Sequence, residues 1–403
     1  MTTFPELESG NVEYVLNTAA DVLHTTRDRR ACSLGEEQAQ HIYYEELSRF
    51  CDDVYKESFK AHPGAGTVSQ RVICVLLTIC VMLFSSAVSN GFVAPACIAL
   101  ILSLICFCIF MYKFIFDGKR FDFVKTGKKS HNVLGIRRSK EKTEQRVVLV
   151  ACDDSPATLR FPFFGYKTSF VFSILSLTGN TLLFTSSVFF LFCGAPENST
   201  VFSLLKALCI LFIPVYILSL FIVSNKTASG LSTSVIPSSL IIGTMKQFHD
   251  NSFRFRKTEI CCLITGCEHS SRAGAYAFAK KHQRLYTDVP TVFIPLEDIT
   301  VSNKLAVFRK DGSGTRGSSS ICSTIYEAAD NLNIKIHKET VHFGSGSFTP
   351  FTKAGFSACS LGTSKKHVSK TLTITGDDLS SISKKAIKDV GALVIETLNY
   401  YDG

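Results

Sequence analysis

The chain has 403 residues, a formal net charge of +9, 46% hydrophobic residues and a positive mean hydropathy. That length exceeds one ordinary domain, and that hydropathy excludes an ordinary wholly soluble protein, leaving a membrane protein with a sizeable soluble part. The 15 cysteines exclude a disulfide framework, because they lack its spacing and many lie inside apolar runs such as Ile105-Cys106-Phe107-Cys108.

Reduced cysteines favour a cytoplasmic location for the soluble part. Met1 to Gly10 carries neither a basic nor an apolar signal region, so no cleavable leader is expected. Residues 1–66 read as soluble and mostly helical. Ser33-Leu34-Gly35-Glu36 has capping-box spacing, and Ala39, Ile42, Tyr43, Leu47 and Phe50 then recur along one helical face, predicting a helix over 36–51. Asp52 to Phe59 alternates as a short strand, and His62-Pro63-Gly64-Ala65-Gly66 breaks the pattern.

Val72 to Val88 and Phe92 to Phe114 approach the length of about 20 apolar residues that a bilayer core requires. The short link Ser89-Asn90-Gly91 makes them a helical hairpin. Ser169 to Cys193 and Val201 to Val223 predict a second hairpin, joined by Gly194 to Thr200. From Lys113 to Arg146 there are eleven Lys or Arg against four acids, and neither hairpin tip contains a basic residue. The tips are therefore expected outside, with both termini and the α/β domain in the cytoplasm of a multi-pass cell-membrane protein. The basic run reads as a juxtamembrane segment facing the lipid bilayer, with no nucleic-acid partner. Lys206 is expected to snorkel to the outer surface, Asn180 to face another helix, and the Asn198-Ser199-Thr200 sequon carries little weight.

Val147 to Ala151 reads as a buried strand running into Cys152-Asp153-Asp154, and Asn225 to Gly230 as a turn opening a helix. Beyond it, strands over 259–266, 291–296 and 304–308 alternate with a helix over 273–282; 356–361 and 371–375 add two strand candidates, and 382–400 a closing helix. Alternation of this kind makes an α/β domain. Asp311 to Ser320 lacks the phosphate-loop Lys and reads as a surface turn before a helix.

This order of motifs resembles the co-catalytic zinc aminopeptidases related to aminopeptidase Y and glutamate carboxypeptidase, in particular bacterial membrane versions whose spans interrupt the peptidase domain. The matching segments are Arg30 to Ala39, Phe50 to Val54 with Phe59, His62 and Pro63, Gly266-Cys267-Glu268-His269 with Ala273-Gly274-Ala275, Phe351 to Phe356, and the closing helix. The resemblance implies a mixed sheet flanked by helices and interrupted by two transmembrane hairpins. The divisions are 1–66, the first part of the peptidase-like domain; 67–116, hairpin one; 117–167, the basic segment and first core strands; 168–223, hairpin two; and 224–403, the main part of the α/β domain.

It also implies two zinc ions about 3.5 to 4 Å apart, bridged by a carboxylate and by a water that a second carboxylate deprotonates. Laid onto this chain, the ligand positions fall on Cys152, Lys226, His269, Glu297 (or Asp298, one residue on) and Thr373, aligned through Asp377. Asp154 keeps the supporting carboxylate and Glu268 the general-base position. Lys226 places an ammonium where two cations would share a carboxylate, so no metal is expected; a pairing of Lys226 with Glu268, Glu297 and Asp154 would replace the metals' charge. Cys152, His269 and Glu297 offer a single-metal set, against which stand a buried inert thiol and a satisfied histidine. Cys152 as a nucleophile activated by His269 needs a geometry that a sequence does not give.

The sequence therefore points to a membrane-anchored, catalytically inactive pseudopeptidase. It would bind a peptide-like ligand or pair with an active relative, in a cleft close to the inner membrane surface. The alternative is an active zinc metallo-aminopeptidase, and a third reading is a small-solute transporter made by the spans.

Overall fold

The computed structural model describes residues 8–26, 28–116, 126–161, 163, 168–194, 196, 199–341, 344–364 and 379–402. The chain divides into two compact units. One comprises Met1–Pro63, Thr126–Thr158 and Lys226–Gly403; the other, Gly64–Lys125 and Leu159–Asn225. Thr373, Asp377 and the strand candidate over 371–375 lie outside the described residues, as does Asn198.

In chain order the elements begin with α1 Ser9–Thr25, α2 Leu34–Phe50 and β1 Asp53–Ala61. The second unit then contributes α3 Ala65–Asn90 and α4 Val93–Phe116. Next come β2 Lys128–Arg137, β3 Gln145–Cys152 and β4 Ala157–Leu159. The second unit resumes with α5 Thr168–Phe192, α6 Thr200–Ile210 and α7 Ile213–Phe221, followed by β5 Val223–Thr227.

Residues over 65–90, 93–112, 168–192 and 200–221 form four helices long and apolar enough to cross a membrane. The last is interrupted, because Pro214 has no N–H to continue the hydrogen-bond ladder and so separates α6 from α7. Asn180 donates from Nδ2 to the Ser103 carbonyl at 3.2 Å, so it faces a neighbouring helix as its cost in an apolar setting requires. Gly179 admits a close approach here, since a Cβ at that position would lie 2.4 Å from the Tyr216 hydroxyl. Lys206 Nζ reaches Ser89 Oγ at 3.1 Å.

The remaining elements are α8 Ile236–Asp250, β6 Thr258–Thr265, α9 Ala273–His282, β7 Thr291–Glu297, β8 Leu305–Asp311 and α10 Ser319–Asn331. They are followed by β9 Ile336–Val341, α11 Thr349–Lys353, β10 Ser357–Ala358, β11 Ser360–Thr363 and α12 Lys384–Asp402. A nine-stranded mixed sheet runs β1-β2-β6-β3-β7-β11-β8-β9, with β10 also on β7. Strand β3 lies parallel between β6 and β7, both of which come later in the chain. The basic segment enters the fold through β2, which is antiparallel to β1 and β6.

The continuous apolar run of β3 is explained by burial on both faces. Val147, Leu149 and Ala151 pack into one core with residues of α1, α2, α8, α10 and α12, while Val148 and Val150 pack into the other with residues of α9 and α11. Each Val or Leu among them stabilises the sheet by about 1.5–3 kcal/mol, which fixes the register and so places Cys152, Asp153 and Asp154 at the strand's end. In an open parallel arrangement of this kind, sites form beyond the carboxyl ends of the strands.

Candidate active site at the ends of three strands

Three adjacent strands end in polar residues: β3 in Cys152-Asp153-Asp154, β6 in Gly266-Cys267-Glu268-His269, and β7 in Glu297-Asp298. The parallel pairing of Cys152 with Thr265 brings the first two groups together.

Asp154 is fully buried and is the hub. Its Oδ1 accepts the Glu268 N–H at 3.0 Å and its Oδ2 the His269 N–H at 2.9 Å. The His269 ring approaches through Nδ1, 3.1 Å from Oδ1. Both Asp154 oxygens accept backbone N–H groups, so the network assigns the ring hydrogen to Nδ1 and leaves Nε2 as the ring's remaining donor or acceptor. The His269 side chain is about a quarter exposed. Burial works against its charged form, yet the charge and hydrogen bond of Asp154 outweigh that and hold its pKa above the ordinary imidazole value.

Glu268 lies beside Arg272, whose Nε is 3.2 Å from Oε1, and Thr265 donates to its Oε2 at 3.4 Å. Burial pushes the Glu268 carboxyl up to about 7, with Arg272 opposing and Asp154 adding to the rise. Arg272 stands in the left-handed region at φ 52° and donates to the Ser345 hydroxyl and carbonyl. Two residues further on, the Ser347 N–H reaches Glu297 Oε1 at 3.0 Å. Asp298, also left-handed at φ 43°, is buried behind Glu297.

Cys152 is buried, and its thiol donates to the Thr233 carbonyl at 3.4 Å. Burial first, and then Asp154 and Glu268, push its pKa well above the ordinary thiol value, which keeps it protonated and unreactive rather than activated by His269. Lys226 is exposed on β5, and its carbonyl accepts from Thr158 Oγ1 at 3.0 Å. The cations ranged beside Asp154 and Glu268 are His269 and Arg272. Cys152, Asp154 and His269 offer ligand atoms within 4.8 Å of one another, whereas Glu297 is not part of that group.

Arg29, Asp153, Glu36 and Arg272 escape a reading by ligand position. Arg29 is buried and clamps the site's rim: Nε donates to the Asp153 carbonyl at 3.1 Å, Nη1 to the Thr26 carbonyl and hydroxyl at 3.3 Å, and Nη2 to the Ser229 carbonyl. Gly230 (φ 65°) is needed there, because a Cβ would meet Ser234 Oγ at 2.8 Å, Ser155 Oγ at 2.9 Å and the guanidinium at 3.1 Å. Asp153 is buried beneath Asp154; burial, Glu36 and Asp154 push its carboxyl well above the carboxylate range. Only the N-cap half of the capping box forms, with Ser33 Oγ accepting the Glu36 N–H at 3.2 Å. The Glu36 carboxylate, however, turns to Cys32 N–H and Cys267 N–H, both at 2.7 Å. Arg272 is four residues beyond Glu268, a spacing that was the available signal for it.

Residues 228–398 match the model of peptidase family M28. No curated protein sequence matches the chain. Among solved structures, the glutaminyl cyclase of Fimbriiglobus ruber is 10% identical with a TM-score of 0.56, over 98% of this chain and 96% of that one. A leucine aminopeptidase precursor of Bacteroides thetaiotaomicron is 9% identical with a TM-score of 0.56, over 98% of both chains. A Zn-dependent exopeptidase of Parabacteroides distasonis is 10% identical with a TM-score of 0.54, over 97% and 98%. At such identities these likenesses concern the fold. The sequence match from before α8 into α12, on a sheet with the fold of these enzymes, supports a zinc-aminopeptidase-like family for this chain.

Proposed function

We propose that this protein is a membrane-anchored pseudopeptidase, a binding or scaffolding subunit in which hydrogen bonds and ion pairs replace the two-zinc centre. The observation that carries this reading is the saturation of Asp154, whose two oxygens take two backbone N–H groups and the His269 ring. Asp154 is thereby taken up by its own neighbours and is not presented as a carboxylate ligand, while the His269 ring keeps Nε2 as its one ligand atom. The ligand positions fit a zinc pair poorly: Cys152 holds its proton, and the residue aligned with the bridging carboxylate is Lys226, which supplies no carboxylate. Glu268 then has no metal-bound water to activate. The four apolar helices support anchoring, with many outward apolar side chains such as Met82, Ile101 and Leu204. The partner would be a peptide-like ligand or an active relative, with the α/β unit on the cytoplasmic side.

One observation favours a second reading, an active metallo-aminopeptidase with one metal. Cys152, Asp154 and His269 cluster closely enough to ligate an ion, and thiolate, carboxylate and imidazole are all zinc ligands. Zinc content per chain in detergent, and hydrolysis of a dipeptide panel with and without Glu268→Ala, separate the two. The pseudopeptidase binds well below one zinc per chain and releases no amino acid. Stoichiometric zinc with activity abolished by Glu268→Ala overturns it.

A further inference from the structure

We propose that Cys32 and Cys267 form a redox-active dithiol, which a small-molecule disulfide oxidises to an intrachain disulfide joining the turn before α2 to the turn after β6. The two sulfurs, 235 residues apart in sequence, lie 3.5 Å from each other. Bond formation brings the sulfurs from this contact to about 2.05 Å. One carboxylate holds both cysteines: Glu36 Oε2 accepts the Cys32 N–H and Oε1 the Cys267 N–H, each at 2.7 Å. Both residues stand in the left-handed region, at φ 59° and 55°, a conformation that side chains other than glycine keep only where the surroundings impose it. The clamp imposes it and leaves the two thiols facing each other.

Access is unequal in the way such chemistry needs. Cys32 is partly exposed and Cys267 fully buried. Cys32 thiolate attacks one sulfur of oxidised glutathione, breaking its S–S bond and releasing one glutathione thiolate. Cys267 thiolate then attacks Cys32 Sγ and displaces the second glutathione thiolate. The two protons lost by the cysteines go to the two leaving thiolates, so the protein loses two electrons and glutathione disulfide gains them. A cation fits the same three residues less well. Glu36 Oε2 also accepts the Ser130 hydroxyl at 2.9 Å, so the lone pairs a metal would need are already engaged.

The test uses the full chain in detergent, equilibrated in glutathione buffers from fully reduced to fully oxidised, then alkylated, digested with trypsin and analysed by mass spectrometry. The expected product is peptide 31–49 joined to peptide 258–272 through Cys267, with the loss of two hydrogens. It should be absent in Cys32→Ser, a substitution at a partly exposed position, and in Glu36→Gln, which weakens the clamp, should need a glutathione buffer about tenfold more oxidising for half-formation. A stable glutathione adduct on Cys32 with Cys267 still alkylated would overturn the proposal. So would zinc bound by the reduced protein and lost in Cys32→Ser.

Discussion

The apolar helical unit relies mainly on local side-chain hydrogen bonds, whereas the α/β unit adds buried ones that span the sequence. In the helices, hydroxyls serve their own turn: Thr78, Ser85, Thr178, Thr181 and Ser219 each donate to the carbonyl four residues back. Asn180 is an exception that reaches across to another helix. In the α/β unit the decisive bonds span the sequence, from Arg29 to Asp153, from Glu36 to Cys267 and from Asp154 to His269. A local bond costs little to lose because water, lipid headgroups or the backbone replace it. A buried long-range bond leaves an orphaned partner.

That contrast is broken or sharpened most by Arg29→Met. It removes the guanidinium from the Asp153 carbonyl and leaves the Ser229 carbonyl to the Ser155 hydroxyl alone, and should destabilise the α/β unit by about 3–5 kcal/mol in chemical denaturation. A loss under about 1 kcal/mol would show that the long-range clamp does not hold the strand ends.

Next in size is a pH effect at Glu268. Its folded pKa of about 7 stands above the ordinary value of 4.5, so the fold favours the neutral form. The resulting stability is fully present below pH 4.5 and is lost as pH rises through 7. Glu268→Gln should therefore remove about 3 kcal/mol of the stability difference between pH 4.5 and pH 8, read from melting curves of both proteins. An unchanged pH profile would place Glu268 outside the buried cluster.

The smallest effects belong to the helices. Asn180→Leu should cost about 0.6–1.7 kcal/mol in detergent unfolding, as interhelical hydrogen bonds do. Thr178→Ala should stay within about 0.5 kcal/mol. Equal costs at the two positions would erase the distinction between the units.

Much of the fold was legible in the residues. The helix over 36–51 is α2 from Leu34 to Phe50, the helix over 273–282 is α9, and the run from Val147 is the centre of β3. Strand β2 was less so, because its basic residues suit a membrane-facing segment equally well until β1 and β6 pair with it. Of the candidate site, Cys152, Asp154 and His269 cluster tightly with Glu268 beside them, and Glu297, whose charge reaches Glu268, also accepts the Ser347 N–H of a loop over 344–348. The roles of Arg29 and Glu36 had no signal of their own, since an Arg in a turn and a Glu in a capping box ordinarily face solvent.

By itself, the sequence determined the features that depend on neighbours in the chain: the four apolar helices, the buried parallel strands, and which residue types stand at the ligand positions, because hydrophobic period and residue chemistry act locally. Only the tertiary structure decided what each carboxylate does. Asp154 and Glu36 take their partners from groups that are distant in the chain and adjacent beyond the strand ends, and burial raises the Glu268 carboxyl. Burial there, and not residue type, sets which charges persist.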